Sequence, residues 1–497
     1  MSKKAAVIGA GVGGLGAAIR LAKLGFEVTV FEANKNAGGK INNLQLGDYR
    51  FDMGPSVFTA PEYIKELYDI CGKDFSTFKY KKLPFSFHYF FNDNQFFKLP
   101  EKKEELIETL SKELGEDKTV LSKYLEKSGK NYKAIAPLFI ESSLHKIRHL
   151  LNLKLFKALS RLSKYKLNST MAEENAKTFK NPKTAQIFNR YATYNGSSPF
   201  QAPAMLNMIQ HLEMNQGVFL PDGGMVQIAN SLRDLAEEQG VKFHFEELVE
   251  KVHLSSDRKS VKGLKTNKSE YDFDVIYSNM DVSLTYEKLI PEAEKPIKIL
   301  NQERSSSAIV FYWGIKETFE KLGVHNMFFT SDYREEFEYI FKRKEIYEDP
   351  SIYVHITSKE KKNDAPEGKE NWFVMINAPI NEGQDWKRYV AQAKMAILKK
   401  LSKRLGRDIA PLIEEEFIMD PTFIESKYNG KTGSIYGNSS NNKYAAFYRH
   451  PNFSKTIKGL YFVGVTVHPG GGIPLALNSA KIAVRVMEED PAISVQN

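Results

Sequence analysis

The chain has 497 residues, a net charge of +9 and a single cysteine, Cys71. This length exceeds the roughly 250–300 residues that one hydrophobic core organises, so we expect at least two domains. One cysteine excludes an intrachain disulfide and favours a reducing compartment, and no uncharged apolar run reaches the ~18 residues that a bilayer-spanning helix needs. We therefore expect a cytoplasmic protein that is soluble or lies on a membrane surface.

The first forty residues predict a nucleotide-binding unit. A short apolar strand at 5–8 leads into a glycine turn, a helix and a second strand that ends in Glu32. The turn carries the spacing GxGxxG in Gly9, Gly11 and Gly14. Here Gly9 permits the tight turn, Gly11 lets the backbone approach a pyrophosphate, and Gly14 lets the helix pack closely on the strand. We expect Glu32 to accept a hydrogen bond from a ribose hydroxyl.

A second glycine pair indicates which nucleotide is bound. Gly38, Gly39 and Lys40 begin six residues after Glu32, and the segment 51–56 follows them. Paired glycines followed by a cation can carry backbone and positive charge past a diphosphate, on the side away from the helix. This arrangement favours a permanently held FAD, and an ordinary polar loop is the alternative interpretation.

Most of the net charge lies in one stretch, 142–168. There is no acidic residue from 142 to 172, and leucines and basic residues fall on different arcs of a helix drawn through this stretch. Such a helix suits a membrane surface that contains anionic lipids; the alternative is a helix packed on the substrate domain with a solvated lysine face. No nucleic-acid-binding module accompanies the charge, so we expect no nucleic acid partner. The basic residues are Lys146, Arg148, Lys154, Lys157, Arg161, Lys164 and Lys166.

The nucleotide-binding elements are spread along the chain, so the predicted domains are discontinuous. We assign 1–75, 215–290 and 420–497 to a FAD-binding domain, and 76–214 and 291–419 to a substrate domain that associates with the membrane. Strand-like runs at 307–313 and 372–376 predict a sheet that forms one wall of a cavity. The polar segment 359–370 reads as a solvent-exposed loop.

The C-terminal region gives the most specific signal. A buried strand at 459–463 enters the run from Gly464 through His468 and Pro469 to Pro474, and a helix follows. Here the chain resembles the bacterial carotenoid desaturases, the phytoene desaturase group of flavoproteins, whose signature is Thr-His-Pro-Gly-x-Gly-Ile-Pro followed by Ser-Gly. Val467 stands where the signature has Thr, and Ala480 where it has Gly.

The resemblance extends over most of the chain and implies a fold and a cofactor site. The implied fold class is α/β, a Rossmann-type FAD-binding domain with a discontinuous α+β substrate domain, as in amine oxidases. The backbone of Val249 is the implied adenine contact, although a core valine is the alternative. The expected cofactor-binding residues are Gly9, Ala10, Gly11, Gly13, Gly14, Glu32, Ala33, Gly38, Gly39, Lys40, Gly54, Pro55, Ser56, Val249, Asn279, Gly464, Gly472, Ile473 and Pro474.

The resemblance further implies an FAD-dependent desaturase that passes a hydride from a long polyene to flavin N5. We expect a C40 carotenoid that reacts near a linear end group, as in the hydroxyneurosporene or γ-carotene type, with a quinone or oxygen as the electron acceptor. The expected place is the inner face of the cell membrane. Two alternatives stay open: a carotenoid cis–trans isomerase or retinol-saturase-like flavoenzyme, and a lipid-binding chaperone like the Rab GDP-dissociation inhibitors.

Other chemistries have little support in the sequence, and no catalytic side chain is identified. HExxH, CxxC and GxSxG are all missing, and His145 and His149 lie among lysines, so we expect no metal site. His468 either touches the cofactor or substrate, or holds its loop through hydrogen bonds. For Asp52 we expect a structural role, satisfying backbone donors in its own turn.

Overall fold

The structure of the chain is a computed structural model that describes residues 2–146, 168–491 and 493. The basic stretch at 142–168 therefore lies largely outside the described residues, and so does His149. Within the described part, no helix is both long and apolar enough to cross a membrane.

One half of the molecule is built around a five-stranded parallel sheet. Its strands come from the start, the middle and the end of the chain, the same three segments that we propose as one discontinuous domain. Residues 5–8 of the central strand are all buried, as expected for a parallel sheet covered on both faces. In spatial order the strands are Leu460–Phe462, Val275–Ser278, Lys4–Ile8, Glu27–Phe31 and Lys242–His244.

The strand order changes direction at the central strand of this sheet. The strand Lys4–Ile8 pairs with Glu27–Phe31 on one side and with Val275–Ser278 on the other. Where the strand order reverses, a crevice lies at the carboxyl ends of the strands. Ligands of open α/β sheets bind in this crevice. Gly9 and Asn279 directly follow the two strands that meet there.

Two helices cover the glycine turn. Val12–Lys23 begins directly after Gly11, and its apolar face packs in the core of the parallel sheet. The last helix, Ile473–Glu488, begins after Gly472 and packs against the first, with Leu477 close to Gly16. Both helices therefore begin at the carboxyl edge of the sheet.

The other half of the molecule is built around a seven-stranded mixed sheet. Ser307–Ile315 is buried along its whole length and pairs with Glu370–Ala378 over nine positions, which confirms the predicted strands. One face packs beneath the helix Trp386–Leu405, and the other carries side chains such as Val310 and Phe373 that line a cavity. In spatial order the strands are Ile413–Met419, Ser307–Ile315, Glu370–Ala378, Ile352–His355, His325–Phe328, Phe85–Phe90 and Phe96–Pro100.

Smaller sheets and further helices complete the described fold. The small sheets consist of Val249–Leu254, Val261–Thr266 and Glu270–Asp272; of Asn42–Leu46 and Tyr49–Gly54; and of Tyr80–Lys82 and Phe219–Pro221. The other α-helices of at least five residues are Glu62–Cys71, Lys103–Leu114, Lys118–Phe139, Met171–Thr178, Pro182–Asn189, Gln210–Met214, Val226–Glu238, Tyr333–Glu338 and Pro421–Tyr428.

Two expectations, one for Asp52 and one for the segment 359–370, need correction. Asp52 accepts from Met225 N at 3.0 Å and from Arg50 at 2.7 Å, so it bridges to a distant segment rather than to its own turn. The segment 359–370 is not simply a solvent loop, because it contains Asp364, which is buried and forms the second ion pair of Arg50. Both carboxylates tolerate burial because this guanidinium lies between them.

Candidate functional site

A cavity of about 1020 Å³ lies between the carboxyl edge of the parallel sheet and the mixed sheet. All of the predicted cofactor-binding residues line it except Ala10 and Gly14. Those two lie just behind the wall: Ala10 N donates to Glu32 Oε2, and Gly14 packs against the turn. The residues predicted from three separate parts of the sequence thus meet around one space.

The glycine turn has the geometry that its spacing predicts. Gly9 adopts a φ of +93°, in the left-handed region that favours glycine. A Cβ atom on Gly14 would lie 2.1 Å from the Gly9 carbonyl oxygen, so only glycine allows the helix to approach the turn this closely. The free N–H groups at the start of Val12–Lys23 are available to an anion beside Gly11.

Glu32 occupies the end of the second strand and lines the cavity. One carboxylate oxygen accepts from Ala10 N at 2.8 Å, and the other accepts from the backbone and side chain of Asn34 at 2.9 and 2.7 Å. A carboxylate has about four lone-pair positions, so these three bonds leave capacity for a ribose hydroxyl. The carboxylate is also held in a single orientation.

The second glycine pair lies directly beside the first. Gly38 N donates to Ala10 O at 2.8 Å, and Gly38 forms an isolated parallel bridge with Gly11. Lys40 reaches away to donate to Ile435 O at 2.5 Å, and burial lowers its pKa to about 8. The pair therefore extends the turn toward the mixed sheet, with Lys40 as a cation in the cavity wall.

Close contact with Asn279 accounts for three glycines of the loops around the cavity. A Cβ atom on Gly11 would lie 2.6 Å from its Nδ2, and Cβ atoms on Gly13 and Gly464 would lie 2.7 and 2.5 Å from its Oδ1. The Asn279 amide also donates to Gly9 O at 3.3 Å. One side chain from the middle of the chain thus connects the N-terminal and C-terminal glycine loops.

The part of the cavity toward the mixed sheet is apolar. It is built from the helix Lys118–Phe139, the segment 205–212 and alternate residues of the mixed sheet. The long polyene that the resemblance implies needs such a lining, but the sequence did not identify its members. They include Phe87, Phe139, Ile140, Met205, Met208, Ile209, Leu212, Val310, Met327, Phe373, Met375 and Met419.

One polar cluster interrupts this apolar lining, and no motif in the sequence marked it. Arg190 lies over the ring of Phe87 and donates to both oxygens of Glu213 at 2.8 and 3.0 Å. The hydroxyls of Tyr191 and Tyr194 donate to the same carboxylate at 2.7 and 2.5 Å. Arg190, Tyr194 and the neighbouring Asn195 all line the cavity.

The histidine at the C-terminal loop has a structural environment. His468 is buried outside the cavity lining, and burial lowers its pKa to about 3. Its neutral ring donates through Nε2 to Ser142 O at 2.8 Å, while its carbonyl accepts from Asn452. These bonds favour the second of our two interpretations, in which His468 holds the loop. Among the described residues, no group of three acidic, histidine or cysteine side chains has a metal-binding arrangement.

Comparison with known proteins places this arrangement in a family. The family model described as flavin containing amine oxidoreductase matches residues 12–487. The 1-hydroxycarotenoid 3,4-desaturase of Flavobacterium sp. (strain P99-3) is 47% identical over 480 residues, which are 97% of this chain and 98% of the relative. The 4,4'-diapophytoene desaturase (4,4'-diaponeurosporene-forming) of Staphylococcus aureus (strain Newman) is 32% identical over 98% and 99% of the two chains.

The solved structures agree on the fold. A triple mutant of putrescine oxidase superimposes with a TM-score of 0.64 at 11% identity, over 98% of this chain and 99% of the other. At this identity the likeness establishes the fold alone. The predicted class, a two-domain α/β flavoprotein with FAD as its cofactor, is confirmed.

Proposed function

The chain belongs to the flavin-containing amine oxidoreductases and, within them, to the bacterial carotenoid desaturases, and from this premise we propose that it desaturates a linear carotenoid whose end carries a hydroxyl group. The observation that carries the proposal is the single cavity in which nucleotide-binding loops and a long apolar wall face each other. A dinucleotide and a polyene bound in this cavity would be in contact with each other and shielded from water.

The glycine loops fit FAD. The backbone at Gly11 and the start of the helix Val12–Lys23 offer donors for a pyrophosphate, and the carboxylate of Glu32 has capacity for a ribose hydroxyl. The loop at Gly472 brings the start of the last helix to the same cavity. When bound, FAD supplies the hydride acceptor that no protein side chain provides.

The apolar wall contributes by positioning the substrate and by excluding water. Val310, Met327 and Phe373 project from the mixed sheet, and Phe139 and Leu212 lie in the elements that enclose the cavity. Such a surface positions one carbon–carbon bond and keeps water from the cation or radical that forms when hydrogen leaves. A hydrocarbon chain needs no polar partner along this wall.

The cluster around Arg190 fits the hydroxyl of the substrate. Asn195 is buried and lines the cavity, and the neighbouring Arg190 Nε is buried without a hydrogen-bond partner among the residues that the structure describes. A hydroxyl can accept from Asn195 or Arg190 and donate to the Asn195 oxygen. Because such a site leaves buried polar groups unpaired when the hydroxyl is missing, it discriminates against an unhydroxylated chain.

A panel of polyenes tests this function. FAD-loaded protein is incubated in liposomes with C30 and C40 carotenoids, each with and without a terminal hydroxyl, and products are analysed by mass and by absorption maximum. We expect a loss of two hydrogens and a red shift, with the hydroxylated C40 carotenoid turned over fastest. A changed isomer ratio at constant mass would instead support the isomerase, and polyene binding without FAD would support the chaperone.

We also propose that the protein meets its substrate on the inner face of the cell membrane and passes electrons to a quinone or oxygen. The support is the charge of 142–168 together with the insolubility of a polyene in water. Liposome flotation tests the docking. Binding to anionic vesicles that weakens with salt is expected, whereas equal binding to neutral vesicles would contradict it.

A further inference from the structure

Arg449 is a buried cation in the cavity wall, and no acidic residue that the structure describes is paired with it. It is 3% exposed, and burial alone lowers its pKa to about 10. Its one hydrogen-bonded side-chain atom, Nη2, donates to Ser440 at 3.3 Å, whereas Nη1 is buried without a partner among the described residues. The undescribed segment 147–167 contains no Asp or Glu that could supply a carboxylate.

Other arginines at comparable depth do not share this feature. Arg190 is paired with Glu213, and Arg304 donates to Asp281 at 2.5 Å. An isolated buried charge is unfavourable unless something neutralises it, so an unpaired guanidinium in a cavity points to a ligand. That ligand must bring negative charge or an electron-rich oxygen to Arg449.

The surroundings of Arg449 identify which part of a ligand it faces. A Cβ atom on Gly470 would lie 3.0 Å from its guanidinium carbon, so the group packs on the loop that begins the helix Ile473–Glu488. The positive end of that helix dipole lies at the same loop. The pyrophosphate is accounted for by the other helix, at Gly11, so a second negative region is required here. The proposed polyene has no charge to offer, and its hydroxyl is assigned to the cluster around Arg190.

Desaturation generates such a charge. Two C–H bonds of the substrate break and a C=C bond forms; one hydrogen leaves as a proton, which ends on solvent water outside the apolar wall, and the other leaves as a hydride. The hydride carries two electrons and one proton to FAD, whose ring therefore gains one negative charge. We propose that Arg449 faces the FAD ring and stabilises this charge, which raises the reduction potential of the bound cofactor. The inference rests on the proposed use of FAD as the hydride acceptor.

The test measures the midpoint potential of bound FAD by anaerobic equilibration with reference dyes, without any carotenoid. We compare the wild type with Arg449→Met, Arg449→Lys and Lys443→Met, which removes an exposed charge six residues away. For Arg449→Met we expect at least a tenfold smaller equilibrium constant for reduction, which lowers a two-electron potential by about 30 mV. Arg449→Lys retains most of the wild-type potential, and Lys443→Met retains all of it.

The pH dependence gives a second readout that needs only the wild type. Uptake of one proton with two electrons gives a slope of about 30 mV per pH unit, and uptake of two protons gives about twice that. We expect the smaller slope near neutral pH, because Arg449 keeps the reduced ring anionic. The larger slope in the wild type would overturn the inference even if Arg449→Met does not fold.

The remaining outcomes separate this inference from the proposed function. An FAD-loaded Arg449→Met protein with an unchanged reduction potential overturns the proposed role of Arg449. This holds also if the variant binds hydroxylated carotenoid more weakly, because Arg449 would then contact the substrate and not the FAD ring. A wild type that binds FAD but oxidises no carotenoid overturns the proposed function, while the comparison of potentials still decides on Arg449.

Discussion

Replacing Gly14 by alanine tests the close contact between the first helix and the glycine turn. The new Cβ atom would lie 2.1 Å from Gly9 O and 3.2 Å from Val7 Cγ1, so the helix or the turn must move. Alanine gains about 0.5–1 kcal/mol over glycine within a helix, but overpacking against a backbone atom costs about 1–3 kcal/mol. We expect a net loss of about 1–2 kcal/mol, a factor of about 5–30 in the ratio of folded to unfolded protein.

Gly16→Ala is the matched control in the same helix. Its Cβ atom would meet Leu477 Cδ2 at 3.1 Å and Ala480 Cβ at 3.4 Å, which are side-chain atoms rather than backbone. A leucine methyl group can yield, and the gain in helix propensity offsets the adjustment. We expect its stability to stay within about 0.5 kcal/mol of the wild type.

Two measurements distinguish the variants. Urea unfolding of the FAD-free proteins gives the stability difference, and flavin fluorescence during heating reports the release of FAD. Because a shifted turn moves the donors at Gly11, Gly14→Ala should also release FAD at a lower temperature. Equal stability of Gly14→Ala and Gly16→Ala, with release of FAD at the same temperature, would refute a required close contact at Gly14.

Three further perturbations each change the charge of one side chain. Glu213→Gln leaves Arg190 buried without a carboxylate and should cost about 3–5 kcal/mol in urea unfolding, whereas the exposed Glu238→Gln should change stability by less than about 1 kcal/mol; equal effects would contradict this. The pKa of Lys40 is about 8 in the folded protein, below its ordinary value of 10.5, so between these values the unfolded state binds more protons and the FAD-free protein gains stability as pH rises. That gain, up to about 3 kcal/mol, should vanish in Lys40→Met, and an identical pH profile in the variant would exclude it. Asn279→Asp keeps the shape of the side chain but adds negative charge beside the pyrophosphate site, so FAD titrations should show binding at least about tenfold weaker, and unchanged affinity would argue against a pyrophosphate there.

The sequence predicted the parts of the site that depend on local geometry. The spacing of Gly9, Gly11 and Gly14 is required by one turn and the helix that follows it, so it can be read without knowing the rest of the fold. The continuous apolar run at 307–313 likewise indicates a strand buried on both faces. Such features depend on neighbours in the sequence.

Other parts of the site depend on contacts between distant segments. Asn279 lies between glycines from both ends of the chain, and nothing around it in the sequence announces that contact. The pairing of Arg190 with Glu213 is visible only in the folded structure, and so is the lack of an acidic partner for Arg449 among the described residues. Asp52 has the structural role that we expect, but its backbone donor belongs to Met225, which is distant in the sequence.

Anaerobic single turnover tests the central claim most directly. FAD-loaded protein is mixed with one equivalent of a hydroxylated linear carotenoid in liposomes, and the flavin and polyene absorption bands are followed together. We expect the flavin band to bleach in step with the red shift of the polyene, because one cavity holds both. A flavin that stays oxidised, beside a polyene that is unchanged or altered only in isomer ratio, would contradict the account.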